Sequence, residues 1–241
     1  MGALINVFLP FSIYQSVIMD GNRRYGKAKY GSVTKGHWDG SKTLVDFSKW
    51  CLAEGVEILT VYAFSTENWN RSASEVSVLM QIFCKYCDEL RVEALERGIR
   101  LQVLSTETEQ IPPDVALGIE RMVEETKHCN NLTMNICLSY GSKGEILNAC
   151  KAIANDVNEG VIKPSEITET TFERKLLTGG CPDPDLILRT SGEFRLSNFL
   201  LWQLAYAEMF FLDKQWPELT KADLLGVIRE YAINRKRRFG K

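Results

Sequence analysis

Histidine is scarce in this 241-residue sequence, which holds only His37 and His128. The seven cysteines run irregularly from Cys51 to Cys181, so no disulfide framework is indicated and a reducing compartment is expected. Cys84 and Cys87 form a C-x-x-C pair inside a helical pattern with no second pair to match, and zinc is not expected there. Charge of one sign is also missing. A net charge of −2 with 25% charged residues excludes a disordered chain and a general nucleic-acid footprint, so any basic site must be local. No apolar run approaches the ~20 residues that span a bilayer. No Lys or Arg precedes Arg23, and Asn6, Pro10 and Ser12 interrupt the apolar arm 1–15, which argues against a signal peptide. The arm either packs on the protein or touches a membrane. Neither G-x-x-x-x-G-K-[ST] nor G-x-G-x-x-G occurs, which removes the common nucleotide-binding loops.

The 45% hydrophobic content is ample for a core, and no linker or repeat divides the chain, so one domain over 16–241 is expected after the arm. The most informative stretch runs from Ser16 to Tyr25. The apolar run Val17-Ile18-Met19 reads as the end of a buried strand and breaks into Asp20-Gly21-Asn22-Arg23-Arg24. Gly21 permits a sharp turn, and Asn22 is a natural cap for a helix beginning at the arginines, whose N-terminus would present N–H groups to an anion. Arg24 can grip phosphate oxygens with its planar fork, and Asp20 is placed to hold a divalent cation over the same phosphates.

A helical pattern passes through Leu44, Val45, Phe47, Trp50 and Leu52 to stop near Gly55. Ile58–Phe64 is a strand ending in the polar cluster Ser65-Thr66-Glu67-Asn68-Trp69-Asn70-Arg71. A long amphipathic helix spans Ser74–Gly98, followed by a strand at Arg100–Leu104, a helix at Pro112–Lys127, a strand at Leu132–Leu138 and a helix at Gly144–Val157. A fifth strand, Asp185–Arg189, runs into Thr190-Ser191-Gly192-Glu193-Phe194-Arg195-Leu196-Ser197-Asn198, a second anion-binding constellation. Phe199–Ala205 reads as an apolar helix and Met209–Leu212 as a short strand. The alternation predicts an α/β fold with a mainly parallel sheet covered on both faces, its site at the carboxyl ends of the strands, where these polar clusters fall.

Two oxyanion sites, a carboxylate at one of them and abundant apolar helix surface suit a substrate with diphosphate heads and greasy tails. Asp20-Gly21-Asn22-Arg23-Arg24, Gly36-His37, Phe64 to Arg71 with Glu75, and Arg189 to Phe199 together resemble the cis-prenyltransferases, the family of undecaprenyl and dehydrodolichyl diphosphate synthases. The motifs follow the family's order from about Val17 to Gly240. The resemblance implies the cis-prenyltransferase fold with an apolar tunnel, and condensation of isopentenyl diphosphate onto an allylic primer such as farnesyl diphosphate to give a cis-polyprenyl diphosphate. It places the allylic diphosphate over Gly21, Asn22, Arg24 and His37 with Arg71 beside it, and isopentenyl diphosphate at Arg189, Arg195 and Ser197. Asp20 and Glu208 become Mg²⁺ ligands, Glu208 within its chain or across a dimer. Asn68 and Trp69, with Arg71, fall on a closing loop that assists proton removal. Arg238 and Gly240 complete the partner's site in a homodimer.

Several positions depart from the family's pattern. Val33 stands where many relatives carry an arginine, with Lys35 as the candidate substitute, and Ile13-Tyr14-Gln15 replaces a common proline and histidine. Arg23 is a feature of eukaryotic dehydrodolichyl-type relatives and tilts the product towards dolichol precursors, with a cytoplasmic location or peripheral attachment to the cytosolic face of the endoplasmic reticulum. A non-catalytic partner subunit of a heteromeric enzyme and a short-chain cis-prenyl diphosphate synthase are the alternatives. Against the first stand Asp20, Arg24, Arg189, Arg195 and Glu208, all of which this chain keeps.

Overall fold

The computed structural model describes residues 13–235. The expected alternation of strands and helices produces one six-stranded sheet of order β3-β4-β2-β1-β5-β6, with every neighbouring pair parallel. Its strands are β1 (Ile13–Ile18), β2 (Val56–Ser65), β3 (Ile99–Leu104), β4 (Leu132–Tyr140), β5 (Leu186–Arg189) and β6 (Glu208–Phe211). The arrangement has a direct cause in β1, β4 and β5. They are buried along nearly their whole length, as parallel strands must be when layers cover both faces.

On one face, α2 (Val33–Ala53) and α3 (Ala73–Arg97) enclose the main core, in which Val17, Phe47, Leu59, Leu101, Ile136 and Trp216 meet. Ser32 caps α2 by accepting from the Lys35 N–H, and Ser72 caps α3 by accepting from that of Glu75, each satisfying a donor the helix itself leaves open. Gly98 ends α3 in the left-handed conformation, φ 69°, as the sequence predicts. On the other face Ile18, Tyr62, Tyr140, Phe199 and Leu200 form a second cluster, with Tyr62 stacked on Phe199 at a centroid distance of 4.6 Å. The remaining helices are α1 (Asn22–Tyr30), α4 (Pro113–Thr126), α5 (Ser142–Asn158), α6 (Glu169–Glu173) and α7 (Lys221–Glu230), the last extended by a π-helical turn, Tyr231–Arg235.

Strand order positions the site. The chain leaves β1 towards β2 on one side and leaves β5 towards β6 on the other. The crevice above this adjacent pair is therefore a topological switch point, where ligands of open parallel sheets bind.

The structure departs from the sequence reading in four places. β1 takes in Ile13, Tyr14 and Gln15, which composition alone assigns to the arm. α2 starts at Val33 and not near Leu44, because Gly36 and Gly40, poor helix formers in isolation, are used for close packing. Phe199–Ala205 forms a bend followed by turns: Ser197, Asn198 and Leu200 all have positive φ, 51°, 63° and 43°, and such values break a right-handed helix at its start. Asn22 is not a side-chain cap. Gly21, at φ 106°, holds the cap position, while the Asn22 amide donates back to the Met19 carbonyl at 3.1 Å.

Candidate active site

The first half of the site is built by a close approach of α1 to α2. A Cβ at Gly36 would lie 2.1 Å from the Asn22 carbonyl oxygen, and one at Gly40 would lie 2.0 Å from Asn22 Oδ1. Glycine at both positions lets the start of α1 press against α2, and so brings Asn22 beside His37. Gly21 occupies the left-handed region, which costs glycine little and other residues more.

Asp20 follows β1, and its carbonyl is pinned by the Thr190 hydroxyl at 2.7 Å and the Trp216 N–H at 3.0 Å. Its carboxylate accepts from the Gly21 N–H at 2.7 Å and from Arg189 at 2.9 Å. Arg189 ends β5 in register with Ile18, so backbone pairing sets the two side chains together across the switch point. The guanidinium is 4% exposed and also donates to Ser197 Oγ at 2.9 Å and to the Arg195 carbonyl. Five non-glycine residues with positive φ, Ser139, Ser191, Ser197, Asn198 and Leu200, lie at the end of β4 and in the loop after β5. Backbone strain of this kind concentrates at functional sites.

Ion pairs hold the other arginines of the site. Glu75, at the start of α3, lies 3.0 Å from Arg71, 3.5 Å from Arg23 and 3.5 Å from His37 Nε2. Glu193 pairs with Arg24 at 3.1 Å and with Arg195. Burial first, then the Arg71 cation, holds the His37 pKa below its ordinary 6.5, against an upward pull from Glu75, so the imidazole is neutral at pH 7.

Gly21, Asn22, Arg24, His37, Arg71 and Arg195 line one cleft together with Asp20. Asn68, Arg189 and Ser197 line an adjoining cleft that shares Asp20, His37 and Arg195 with it. The two anion sites of the sequence reading are thus halves of one trough with Asp20 between them. Beneath it, with Asn22 and His37 at the mouth, a narrow apolar cavity of about 100 Å³ runs between α2, α3 and the sheet past Leu44, Phe83, Tyr86, Leu90 and Met122.

Other expected residues fall elsewhere. Trp69 turns away from the trough into a separate groove with Val76 and Met80. Its indole N–H donates to Ser139 Oγ at 2.8 Å and its ring lies edge-on to Phe64 at 4.7 Å, so it anchors the 66–70 turn. Asn68 caps that turn by accepting from the Ser65 N–H at 3.1 Å. Glu208 opens β6 in register with Leu186, some five residues or ~16 Å below Asp20 along the strands, so the two carboxylates do not converge within one chain. Lys35 stands over the ring of Tyr30 at 5.6 Å and lines neither cleft. Arg238 and Gly240 lie outside the described residues.

Sequence reasoning left Glu75 unassigned and missed Lys27 and Thr190. The spacing Arg71-x-x-x-Glu75 is the available signal for the first, since side chains at i and i+4 meet on one face.

Fold and site together define an α/β protein with a cationic trough at the switch point of a parallel sheet and an apolar chamber beneath it. The sequence model of a family described as putative undecaprenyl diphosphate synthase matches residues 18–240. An isoprenyl transferase of Listeria monocytogenes serovar 1/2a is 39% identical over 232 residues, spanning 96% of this chain and 91% of that protein. A tritrans,polycis-undecaprenyl-diphosphate synthase (geranylgeranyl-diphosphate specific) of Pyrococcus furiosus is 44% identical over 228 residues, spanning 94% and 86%. Among solved structures, lavandulyl diphosphate synthase from Lavandula x intermedia, in complex with dimethylallyl diphosphate, superimposes with a TM-score of 0.90 at 31% identity, covering 95% of this chain and 98% of that one. The chain belongs to the cis-prenyltransferase family. It is by that membership a prenyltransferase, whose substrates are isopentenyl and allylic diphosphates.

Proposed function

We propose that this enzyme elongates an allylic diphosphate, farnesyl diphosphate in the first instance, by cis addition of isopentenyl diphosphate, and releases a polyprenyl diphosphate of the kind that precedes dolichol. One observation carries the reading: two cation clusters share a trough around Asp20, and an apolar cavity opens directly beneath it. A diphosphate head in the trough with its hydrocarbon tail in the cavity satisfies both halves of such a molecule at once.

The primer diphosphate sits over the Gly21 turn with Arg24, Arg71 and His37, and isopentenyl diphosphate sits with Arg189, Arg195 and Ser197. Departure of the primer's diphosphate concentrates charge on its oxygens, and arginine forks already held in place stabilise that charge more than they stabilise the ground state. Neutral His37 has a ring N–H to donate without adding a buried charge. Asn68 lines the same trough and is the group we assign to guiding the departing proton. Each added five-carbon unit gains on the order of 4 kcal/mol on entering the apolar cavity, which retains the growing chain.

Among the described residues no three His, Cys, Asp or Glu side chains gather to hold a metal. The donor set fits Mg²⁺ nonetheless, because that ion keeps waters and takes one or two carboxylates together with substrate phosphates. Asp20 would supply the carboxylate, and the ion would neutralise charge on the diphosphates. Glu208 enters such a site only from the partner of a homodimer, as Arg238 and Gly240 would. Among the described residues no helix is long and apolar enough to cross a membrane, and peripheral contact through the arm remains part of the proposal.

The test is incubation of the purified chain with radiolabelled isopentenyl diphosphate, Mg²⁺ and, in parallel, dimethylallyl, farnesyl and geranylgeranyl diphosphates, followed by sizing of the products. Long products from farnesyl diphosphate support the reading. A single short product selects the short-chain alternative, and no product with any primer points to the partner-subunit alternative.

A further inference from the structure

Five basic side chains line the α1 half of the trough: Arg23, Arg24, Lys27, Arg71 and Arg195. Four of them are already engaged by carboxylates, Arg23 and Arg71 by Glu75 and Arg24 and Arg195 by Glu193. Lys27 alone has no carboxylate within ion-pair distance among the described residues. It lies three residues beyond Arg24 on α1, so both side chains rise from one helix face. We infer that Lys27 is a further primer-binding residue, which takes the phosphate farther from Asp20 while Arg24 takes the nearer one.

The inference rests on the reading of the trough as a diphosphate site and adds a residue to it. Its logic is one of competition. An anion that reaches for Arg24 or Arg71 must share the guanidinium with Glu193 or Glu75, and its gain is reduced by what the carboxylate loses. An anion that reaches Lys27 displaces only water. The ammonium is a compact charge on a flexible stem, so it can adjust to the position of a phosphate. Lys35, the substitute that the sequence suggests, is held outside over Tyr30 and serves as the control. The rival explanation is that Lys27, in the last turn of α1, only complements the helix dipole.

Two measurements separate these accounts, one of them independent of turnover. Titration calorimetry with inorganic pyrophosphate on the full chain should show Lys27→Gln weakening binding about tenfold, Lys27→Arg restoring most of it, and Lys35→Gln leaving it unchanged. Steady-state kinetics should show Lys27→Gln raising the KM for the allylic primer by a similar factor, with a much smaller effect on kcat and on the KM for isopentenyl diphosphate. Unaltered pyrophosphate affinity in Lys27→Gln, accompanied by a lowered melting temperature, assigns the residue to the dipole role and overturns the inference. So does an equal rise in both KM values. If no prenyl substrate turns over while pyrophosphate binding still depends on Lys27, the prenyl-transfer reading falls and the anion-site assignment stands.

Discussion

Replacing Asp20 by alanine should cost stability as well as activity, and the size of the loss follows from the state of Arg189. That guanidinium is 4% exposed, and among the described residues Asp20 is its one carboxylate partner, at 2.9 Å. Among the described residues its other acceptors are the neutral Ser197 hydroxyl and the Arg195 carbonyl, and its Nε has no partner. Removing one member of a buried pair strands the other charge, at about 3–5 kcal/mol when both are fully buried. The Asp20 side chain is 30% exposed, so water reaches the vacated space and the loss falls to about 2–3 kcal/mol. For a domain of this size that lowers Tm by roughly 5–10 °C. Asp20→Asn keeps one oxygen, which can serve Arg189 or the Gly21 N–H but not both, and should still lose less than alanine does. Saturating pyrophosphate should recover part of the deficit by giving the guanidinium a new counter-charge. Thermal and urea unfolding of the three proteins, with and without pyrophosphate, read this directly. An Asp20→Ala Tm within about 1 °C of the parent's, or an Asp20→Asn loss equal to that of alanine, would refute the claim that this carboxylate holds Arg189 in place.

Arg195→Ala should leave Tm nearly unchanged, since the side chain is 60% exposed. It should raise the KM for isopentenyl diphosphate about 10- to 100-fold, the worth of a charge-assisted hydrogen bond; an equal rise for the primer rejects the division of the trough. Gly36→Ala should shift α1 away from α2, because the new methyl meets the Asn22 carbonyl at 2.1 Å. Overpacking of this kind costs about 1–3 kcal/mol, and pyrophosphate affinity should fall with it; calorimetry showing parental affinity counts against the glycine contact as the cradle's support. For His37 the folded pKa is lowered below 6.5, so the unfolded chain binds the proton first. The stability His37 contributes is complete above pH 6.5 and is lost as pH falls below it. Parental melts should therefore decline more steeply from pH 7.5 to 5.5 than those of His37→Gln, and parallel slopes would remove the imidazole as the cause.

Much of this was legible in the sequence because it is local. Most of the strand and helix periodicity, the Gly98 stop and the polar clusters at strand ends depend on neighbours within a few residues, and these fell where the pattern put them. The pairing of Asp20 with Arg189 was not legible. It joins residues far apart in the chain through strand register, and the sequence reading assigned them to separate sites. The separation of Glu208 from Asp20 within one chain was hidden for the same reason: its motif is local, but its height on the sheet is set by pairing with Leu186. The 199–205 segment misled through its composition, since an apolar run resembles a buried helix until the positive φ values before it are known. Glu75 needed three partners from three elements before its role could be seen.

The register of β1 on β5 also acts as a ruler. Arg189 ends β5 and Asp20 follows the end of β1, and such neighbouring strands lie about 4.8 Å apart whatever side chains they carry. The spacing between Asp20 and Arg189 is therefore set by a backbone ladder that mutation of the trough leaves intact. Variants in the trough can change how tightly each head group is held, or how long a tail fits below, yet the distance across which the two substrates face each other is inherited from the sheet. Engineering of this protein should accordingly alter partner choice and product length more readily than the geometry of the joining step.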